Sequence, residues 1–329
     1  MTYIIKKIRK IKSLMSNCIS TSINPIKKLL IYIDFAWSII FYGVNIDEYF
    51  QYQFYKRRHA DRKNFIVYRK RMRIVRTCND KNDRNIFDFK PKFNKLFNKY
   101  LGRDWLFMDE CSFGEFTNFI SKNKKIFVKP VDSFYGLGVR IQNVNQNDNL
   151  RELYEQLKEE RVMIEQIIEQ YNELAEFNPT SVNTLRVVTL LCNDGTAKVM
   201  TANLRCGNKG KHADNFHHGG IASLIDVETG IVGTPGIDRN FKKYINHPTS
   251  KKQIVGFKVP FWEKIVEMVK SAAQIVPTVR YVGWDVAITK DGTIILVEGN
   301  AAADPDVSQM PDQIGKWYLY KNEIEQINK

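Results

Sequence analysis

The most regular pattern of apolar and polar positions lies near the end of the chain, in residues 281–300. Two runs of β-branched and apolar residues flank the dipeptide Asp291-Gly292 there. Because Asp-Gly tolerates the positive φ angles of a two-residue type I′ turn, the pattern predicts a β-hairpin. In that register Ala287 pairs with Leu296.

The predicted hairpin brings three oxygen-bearing side chains together. Asp285 falls directly opposite Glu298, and Asn300 points to the same face as Glu298 because strand side chains alternate. Cross-strand partners have Cβ atoms about 5 Å apart, and two carboxylates placed there repel each other unless a cation lies between them. Carboxylate and amide oxygens suit Mg²⁺, so the pattern predicts a magnesium site. The alternative is a surface hairpin with solvated acids, which the apolar pair Leu296-Val297 disfavours.

The rest of the second half alternates between strand and helix patterns. We expect strands at 126–130, 139–144, 161–168 and 196–204, an apolar strand within the stretch 178–191, and amphipathic helices at 149–160 and 261–275. Residues before about 110 have an irregular helical pattern rich in aromatic and basic residues. The apolar run 29–44 contains Asp34 and is shorter than the roughly 20 residues of a membrane span. We therefore expect a helix that is buried or lies on an anionic membrane surface.

Composition and charge narrow the partners. A chain of 329 residues with 43% hydrophobic content can form more than one lobe around substantial cores. The formal charge of +14 predicts an anionic partner. Basic residues interleaved with aromatics at 55–76 could contact nucleic acid, but no nucleic-acid motif accompanies them, and we do not expect that partner. Five scattered cysteines indicate a reducing cytosol.

Two further stretches carry candidate chemistry. Lys129 ends a predicted strand beside the loop 132–138, in which Gly136 and Gly138 allow close backbone approach to a phosphate. Arg186 lies where a polar stretch leads into an apolar strand.

The order of these motifs resembles the ATP-grasp ligases, and within them the sugar-transfer associated ATP-grasp family. The resemblance covers most of the chain, from about residue 42 to 309, and each motif is specific only in this succession. The sequence carries Phe-Val-Lys-Pro with a glycine-rich loop, Glu165-Gln166, Ser-Val-Asn-Thr-Leu-Arg, Asp214-Asn215 with Gly219-Gly220, and Asp285 with Glu298-x-Asn300.

The resemblance implies an α+β ATP-grasp fold, in which two α+β lobes clamp ATP, preceded by a mainly helical region. The implied boundaries are 1–110 for the basic helical region and 111–329 for the ATP-grasp domain. Within that domain the nucleotide lobe would cover about 111–180, and the metal-binding and catalytic lobe about 181–329.

The resemblance also implies a role for each matching residue. An earlier lysine, either Lys92 or Lys95, would contact the α-phosphate. The residues implied in nucleotide binding are Lys95, Lys129, Ser133, Gly136, Gly138, Glu165, Gln166 and Ile168. Gln166 stands where many relatives have lysine. Two Mg²⁺ ions would be held by Asp285, Glu298 and Asn300, and catalysis would use Arg186, Arg205 and Asn215.

The implied function is an ATP- and Mg²⁺-dependent carboxylate–amine ligase that acts through an acyl phosphate in bacterial capsule or O-antigen synthesis. Its substrate would be a small or lipid-linked sugar with a carboxylate or amine. We expect a cytoplasmic protein, peripheral at the inner face of the cell membrane. The alternatives are a kinase acting on a polyol or sugar, and a non-catalytic nucleotide-binding partner of a glycosyltransferase.

Overall fold

The computed structural model of the chain describes residues 2–19, 24–131, 138–145, 148–208, 216 and 219–327. Within these residues the chain forms two antiparallel β-sheets, each packed against helices, after a run of N-terminal helices. The α+β prediction is confirmed.

Helices and turns make up the described part of the first hundred residues. The helices are α1 (Thr2–Cys18), α2 (Pro25–Tyr42), α3 (Ile46–Gln51), α4 (His59–Arg62), α5 (Tyr68–Cys78), α6 (Asn85–Asp88) and α7 (Lys90–Leu96). Local sequence explains several of these boundaries. The side chain of Asn24 caps α2 ahead of Pro25, and Asn45 with Glu48 forms a capping box at α3.

The first sheet contains four strands in the order β1-β4-β2-β3. Its strands are β1 (Trp105–Phe107), β2 (Lys125–Pro130), β3 (Arg140–Asn143) and β4 (Val162–Gln166). The helices α8 (Phe113–Lys122) and α9 (Leu150–Glu159) contribute Phe116, Leu153 and Leu157 to the core of this lobe, together with Val128 and Ile164 of the sheet.

The second sheet contains seven strands in the order β11-β10-β5-β6-β7-β8-β9. Its strands are β5 (Thr184–Leu191), β6 (Ala197–Cys206), β7 (Ile221–Ile225), β8 (Gly236–Ile237), β9 (Lys243–Tyr244), β10 (Tyr281–Ile288) and β11 (Ile294–Asn300). The remaining helices are α10 (Asn172–Ala175), α11 (Trp262–Ala273), α12 (Asp306–Gln309) and α13 (Trp317–Ile327). Helix α11 packs under β5, β6 and β10, as its amphipathic pattern predicts.

The N-terminal helices share cores with the sheets. Phe87, Phe93 and Phe97 pack in the same cluster as Trp284 of β10, and Ile74 of α5 packs near Tyr281. Strand β1 pairs with β4 although it precedes residue 111, where we expected the ATP-grasp domain to begin. The first sheet therefore begins at β1, before residue 111.

The hairpin β10–β11 forms with a different turn from the one predicted. Thr289 N–H donates to Thr293, so the loop has three residues, and Gly292 adopts φ 85° at its last position. Ala287 pairs with Ile295 rather than Leu296, which corrects the predicted register near the turn. A bulge after Asp285 then absorbs one extra residue of β11. Asp285 consequently still lies opposite Glu298, as predicted.

Helix α2 contains the apolar run expected to be buried or to lie on a membrane. Ile31, Phe35 and Ser38 on one face are buried, whereas the opposite face is exposed. Among the described residues, no single helix has the length and hydropathy to cross a membrane. The bent pair Pro25–Tyr42 and Ile46–Lys56, which meet at 116°, passes that test together.

Candidate active site

Four neighbouring strands of the second sheet carry a row of polar side chains. Cross-strand pairing places Glu298 of β11 beside Asp285 of β10, Asp285 beside Arg186 of β5, and Arg186 beside Asn203 of β6. Arg205 lies two residues further along β6 and therefore points to the same face as Asn203. The sheet itself thus aligns two carboxylates with two arginines.

Asp285 is 4% exposed and is held by both arginines. Arg186 Nε and Nη2 donate to its two oxygens at 2.5 and 3.0 Å, and Arg205 Nη1 lies 3.0 and 2.9 Å from them. Burial by itself raises the pKa of Asp285, but the Arg186 and Arg205 guanidinium groups outweigh burial and hold this pKa well below its usual range. Asp285 therefore stays ionised and fixes both arginines in place.

The pKa of Glu298, next to Asp285, is shifted in the opposite direction. Desolvation by the surrounding protein raises its pKa, and repulsion from the Asp285 carboxylate raises that pKa further. Its side chain is nevertheless open to solvent, in contrast to Asp285. A cation at this carboxylate would relieve the repulsion.

A buried ion cluster in the first sheet faces this row. Lys129 Nζ of β2 lies 2.7 Å from Glu165 Oε2 of β4, and Arg103 Nε lies 2.9 Å from the same oxygen. Burial raises the pKa of Glu165, but Arg103 and then Lys129 outweigh burial and lower it to about 2. Arg103 also donates to the carbonyls of Leu296 and Val297 in β11, at 2.7 and 3.2 Å, so it links the two sheets.

A cleft with a cavity volume of about 310 Å³ separates the ion cluster of the first sheet from the polar row of the second sheet. Lys129 and Glu165 line it from the first sheet, and Arg186, Arg205 and Glu298 line it from the second. A concave site of this size with convergent charged groups is typical of a small-molecule site. Three of these five side chains are cationic, which suits an anionic ligand.

Comparison with known families identifies the chain. The model of the sugar-transfer associated ATP-grasp family matches residues 71–326. The chain belongs to this family. The predicted family and its ATP-grasp fold are therefore confirmed.

Solved ATP-grasp structures are similar to the chain at low identity. The ligase PsnB complexed with minimal precursor is 14% identical, with TM-score 0.46 over 74% of this chain and 63% of the PsnB chain. D-alanyl-alanine synthetase A from Vibrio cholerae O1 biovar eltor str. N16961 is 14% identical, with TM-score 0.43 over 74% of this chain and 66% of its own. The match therefore spans less than two thirds of each of these proteins. No curated protein matches the chain.

The ATP-grasp cleft contains most of the described residues predicted for the site. Lys129, Glu165, Arg186, Arg205, Glu298 and Asn300 line it. Gly138 lies at the end of the loop after β2 with φ 73°, and a Cβ there would lie 2.9 Å from Pro130 Cγ, so the backbone turns tightly beside the cleft. Ser133, Gly136 and Asn215 lie outside the described residues.

Three predicted nucleotide contacts lie elsewhere. Lys95 is exposed and pairs with Glu110 at 2.5 Å, outside the lining of the cleft. Gln166 and Ile168 line a second cavity, formed with residues 289–291 and 293 at the hairpin turn, rather than the main cleft. Arg103 lines this second cavity and binds Glu165 of the first, so it lies between the two.

Sequence reasoning missed several residues that line the ATP-grasp cleft. Lys90, at the first position of α7, lines it and donates to the carbonyl of Pro130 at 3.1 Å. Arg71 of α5 also lines it and pairs with Asp304 at 3.2 Å. Asp306 is 4% exposed, and burial with the neighbouring Asp304 charge raises its pKa to about 7. Arg71 lies far in sequence from the other motifs, whereas Lys90 lies two residues before Lys92, one of the two lysines that the resemblance suggested.

The donor set at Glu298 suits magnesium. Glu298 and Asn300 offer carboxylate and amide oxygens at the cleft wall. Asp285 adds a carboxylate, but its oxygens already accept the four arginine contacts described above, so metal binding would replace part of them. Among the described residues no three His, Cys, Asp or Glu side chains cluster as a metal site. Phosphate oxygens and water would have to complete the coordination, which is usual for Mg²⁺.

Proposed function

We propose that the chain is an ATP- and Mg²⁺-dependent carboxylate–amine ligase. One observation carries this proposal: cationic side chains from both sheets, Lys129, Arg186 and Arg205, converge on a cleft that also contains the carboxylate Glu298. Such a cleft provides positive charge for a triphosphate and oxygen ligands for its metal ions.

Lys129 and Lys90 would bind the α- and β-phosphates, since both line the cleft on the side of the first sheet. Arg103 and Glu165 would define the adenine end and hold Lys129 in position. Adenine would extend toward Gln166 and Ile168, where backbone groups of the segment after β4 can bind its edge. Gly138, with φ 73°, would allow its own backbone to approach a phosphate closely.

Glu298 and Asn300, with Asp285, would hold the magnesium ions. When bound, Mg²⁺ neutralises charge on the β- and γ-phosphates. Asp285 would also position Arg186 and Arg205 side by side in the absence of phosphate, through its ion pairs with both. The arginines would then stabilise charge on the transferred phosphoryl group.

The proposed reaction has two steps. A carboxylate oxygen attacks the γ-phosphorus of ATP, which forms an acyl phosphate and releases ADP. An amine then attacks the acyl carbon, phosphate leaves and the amine loses a proton. Asp306, whose pKa is raised to about 7 by burial and then by Asp304, is suited to accept that proton.

The biological setting we propose is bacterial capsule or O-antigen synthesis, at the cytoplasmic face of the membrane. The substrate would be a sugar, free or lipid-linked, that carries a carboxylate or an amine. Support comes from the sugar-transfer association of the family and the charge of +14.

ADP release tests the proposal. The purified chain is screened with Mg·ATP against sugar acids combined with amino acids and amines, and hydroxylamine is then substituted for the amine. A ligase releases ADP only with a carboxylate present and yields a hydroxamate with hydroxylamine. ADP release with a polyol and no hydroxamate would indicate a kinase. Absence of ADP release with every pair would contradict the proposed ligation.

A further inference from the structure

Helix α2 exposes an uninterrupted apolar stripe. Its large apolar side chains with exposures from 38% to 69% include Ile26, Leu29, Leu30, Ile33, Trp37, Ile40 and Phe41. These positions recur at intervals of three and four, so they share one face of the helix, which Ala36 completes. No polar residue interrupts this face. Contiguous apolar surface of this kind marks an interaction site.

The opposite side of α2 fixes the helix to the protein. Ile31 and Phe35 are buried in a cluster that also contains Phe216 and Val307, both of which line the ATP-grasp cleft. Asp34, the acidic residue of α2, is bound by Arg62 through two hydrogen bonds of 2.7 and 3.0 Å. The helix is therefore docked by one face, and its acidic charge is neutralised there.

Basic residues flank the exposed stripe. Residues 1–76 contain seventeen Lys and Arg against four Asp and Glu, which accounts for +13 of the total charge of +14. Lys27 and Lys28 are exposed in the first turn of α2. At its other end Arg69 donates to the carbonyl of Ile40 at 2.9 Å, and the His59 ring lies 6.3 Å from that of Trp37. The apolar stripe thus has basic groups at both ends.

From the stripe and its basic surroundings we infer that α2 binds flat on a bilayer that contains anionic phospholipids. Apolar side chains would enter the boundary between headgroups and acyl chains, and the basic groups would contact lipid phosphates. Trp37 and Phe41, whose rings stack at 4.1 Å, suit the same boundary. A bilayer satisfies both features, because it offers an apolar interior beneath an anionic surface.

This binding mode specifies the membrane contact that the proposed function leaves open, and it is independent of ligase chemistry. The shared cluster of α2 with Phe216 and Val307 would hold the ATP-grasp cleft at a fixed height above the lipid. A lipid-linked substrate could then reach the cleft without leaving the membrane.

Vesicle co-sedimentation of the full chain tests the inference. Vesicles of phosphatidylcholine alone are compared with vesicles that also contain phosphatidylglycerol. We expect binding to the anionic vesicles and much weaker binding to the neutral ones, with a decline as salt increases. Equal binding to both, or binding to neither, would overturn the inference.

Matched variants locate the contact. Ile33→Ser with Ile40→Ser removes two stripe residues that are 57% and 69% exposed, whereas Ile245→Ser with Ile314→Ser removes two isoleucines of similar exposure, 65% and 52%, outside α2. Because each apolar side chain removed from the lipid loses its transfer free energy, the first variant should bind anionic vesicles at least about tenfold more weakly. The second should bind as the wild type does. Equal loss in both variants would overturn the inference.

Further measurements distinguish membrane binding by α2 from damage to the nucleotide site and from dimerisation through α2. Anionic vesicles should shift the tryptophan emission of the wild type to the blue, and Trp37→Phe should remove most of that shift. Mg·ATP binding by both isoleucine variants should equal that of the wild type, which separates membrane docking from the nucleotide site. If the wild type is a dimer and the Ile33/Ile40 variant a monomer, with no vesicle binding by either, α2 joins two copies and the inference is wrong.

Discussion

Replacing Arg103 by methionine probes the buried ion cluster that links the two lobes. Arg103 is 8% exposed and binds Glu165, which is 2% exposed. Methionine retains much of the side-chain volume but no charge and no donors. The substitution leaves Glu165 with Lys129 as its remaining cation in the cluster and removes the donors to the carbonyls of Leu296 and Val297.

The expected loss of stability follows from the pKa of Glu165. Its folded-state pKa is about 2 against an ordinary value of 4.5, which corresponds to about 3 kcal/mol of stabilisation at neutral pH. Arg103 supplies the larger share of the lowering, ahead of Lys129. Breaking one partner of a buried ion pair typically costs about 3–5 kcal/mol. We therefore expect Arg103→Met to lower the free energy of unfolding by about 3 kcal/mol.

Urea unfolding at pH 7 measures this change, and Lys95→Met is the control. Lys95 and Glu110 form an ion pair whose side chains are more than half exposed, so its removal should cost at most about 1 kcal/mol. A free energy of unfolding for Arg103→Met within 1 kcal/mol of the control would refute the assigned role of the cluster.

The pH dependence supplies a second check. A lowered folded-state pKa contributes stability above the unfolded value of 4.5, and this contribution is lost as the pH falls from about 4.5 toward about 2. Loss of Arg103 raises the pKa of Glu165, so the variant has less of this stability to lose. The difference in free energy of unfolding between wild type and Arg103→Met should therefore decrease as the pH falls through that range. A constant difference would contradict the electrostatic explanation.

Three other predictions concern the cleft and its support. Asp285→Asn should weaken Mg·ATP binding at least about tenfold in calorimetric titration, because it removes a metal ligand and the ion pairs that hold Arg186 and Arg205 in place; unchanged affinity would contradict both roles. Lys90→Met should weaken ATP binding by about tenfold and Lys95→Met should not, because Lys90 lines the cleft and Lys95 does not. The reverse result would exclude Lys90 as the phosphate-binding lysine. Asn79→Ala should cost about 3 kcal/mol in urea unfolding, because the Asn79 side chain bonds three buried backbone groups beside β10 and β11; a cost below 1 kcal/mol would contradict that role.

The hairpin shows how far local sequence pattern determines the site. Alternation predicts both strands and the pairing of Asp285 with Glu298, which the structure confirms. The turn and the bulge are not visible in the pattern. The three-residue loop shifts the register by one, and the bulge at β11 shifts it back. The prediction that Asp285 pairs with Glu298 is therefore correct because the register shift at the loop and the register shift at the bulge cancel each other.

Long-range contacts account for what sequence reasoning missed. Arg103 bonds to residues 62 and 193 positions away, so nothing near it in sequence indicates its role. Lys90 precedes Pro91 in a short helix, and its side chain reaches the cleft only because α7 packs against β11. Strand β1 has three residues, too few for alternation to be recognised. Such features depend on packing between elements and not on the order of residues within one element.

Titration of the purified chain with Mg·ATP, followed by calorimetry, tests the central claim most directly. We predict one binding site per chain, with affinity reduced at least about tenfold in Lys129→Met and unchanged in Lys198→Met, which removes an exposed lysine paired with Glu323. Absence of binding by the wild type, or equal affinity in Lys129→Met, would contradict the account of this cleft as the nucleotide site.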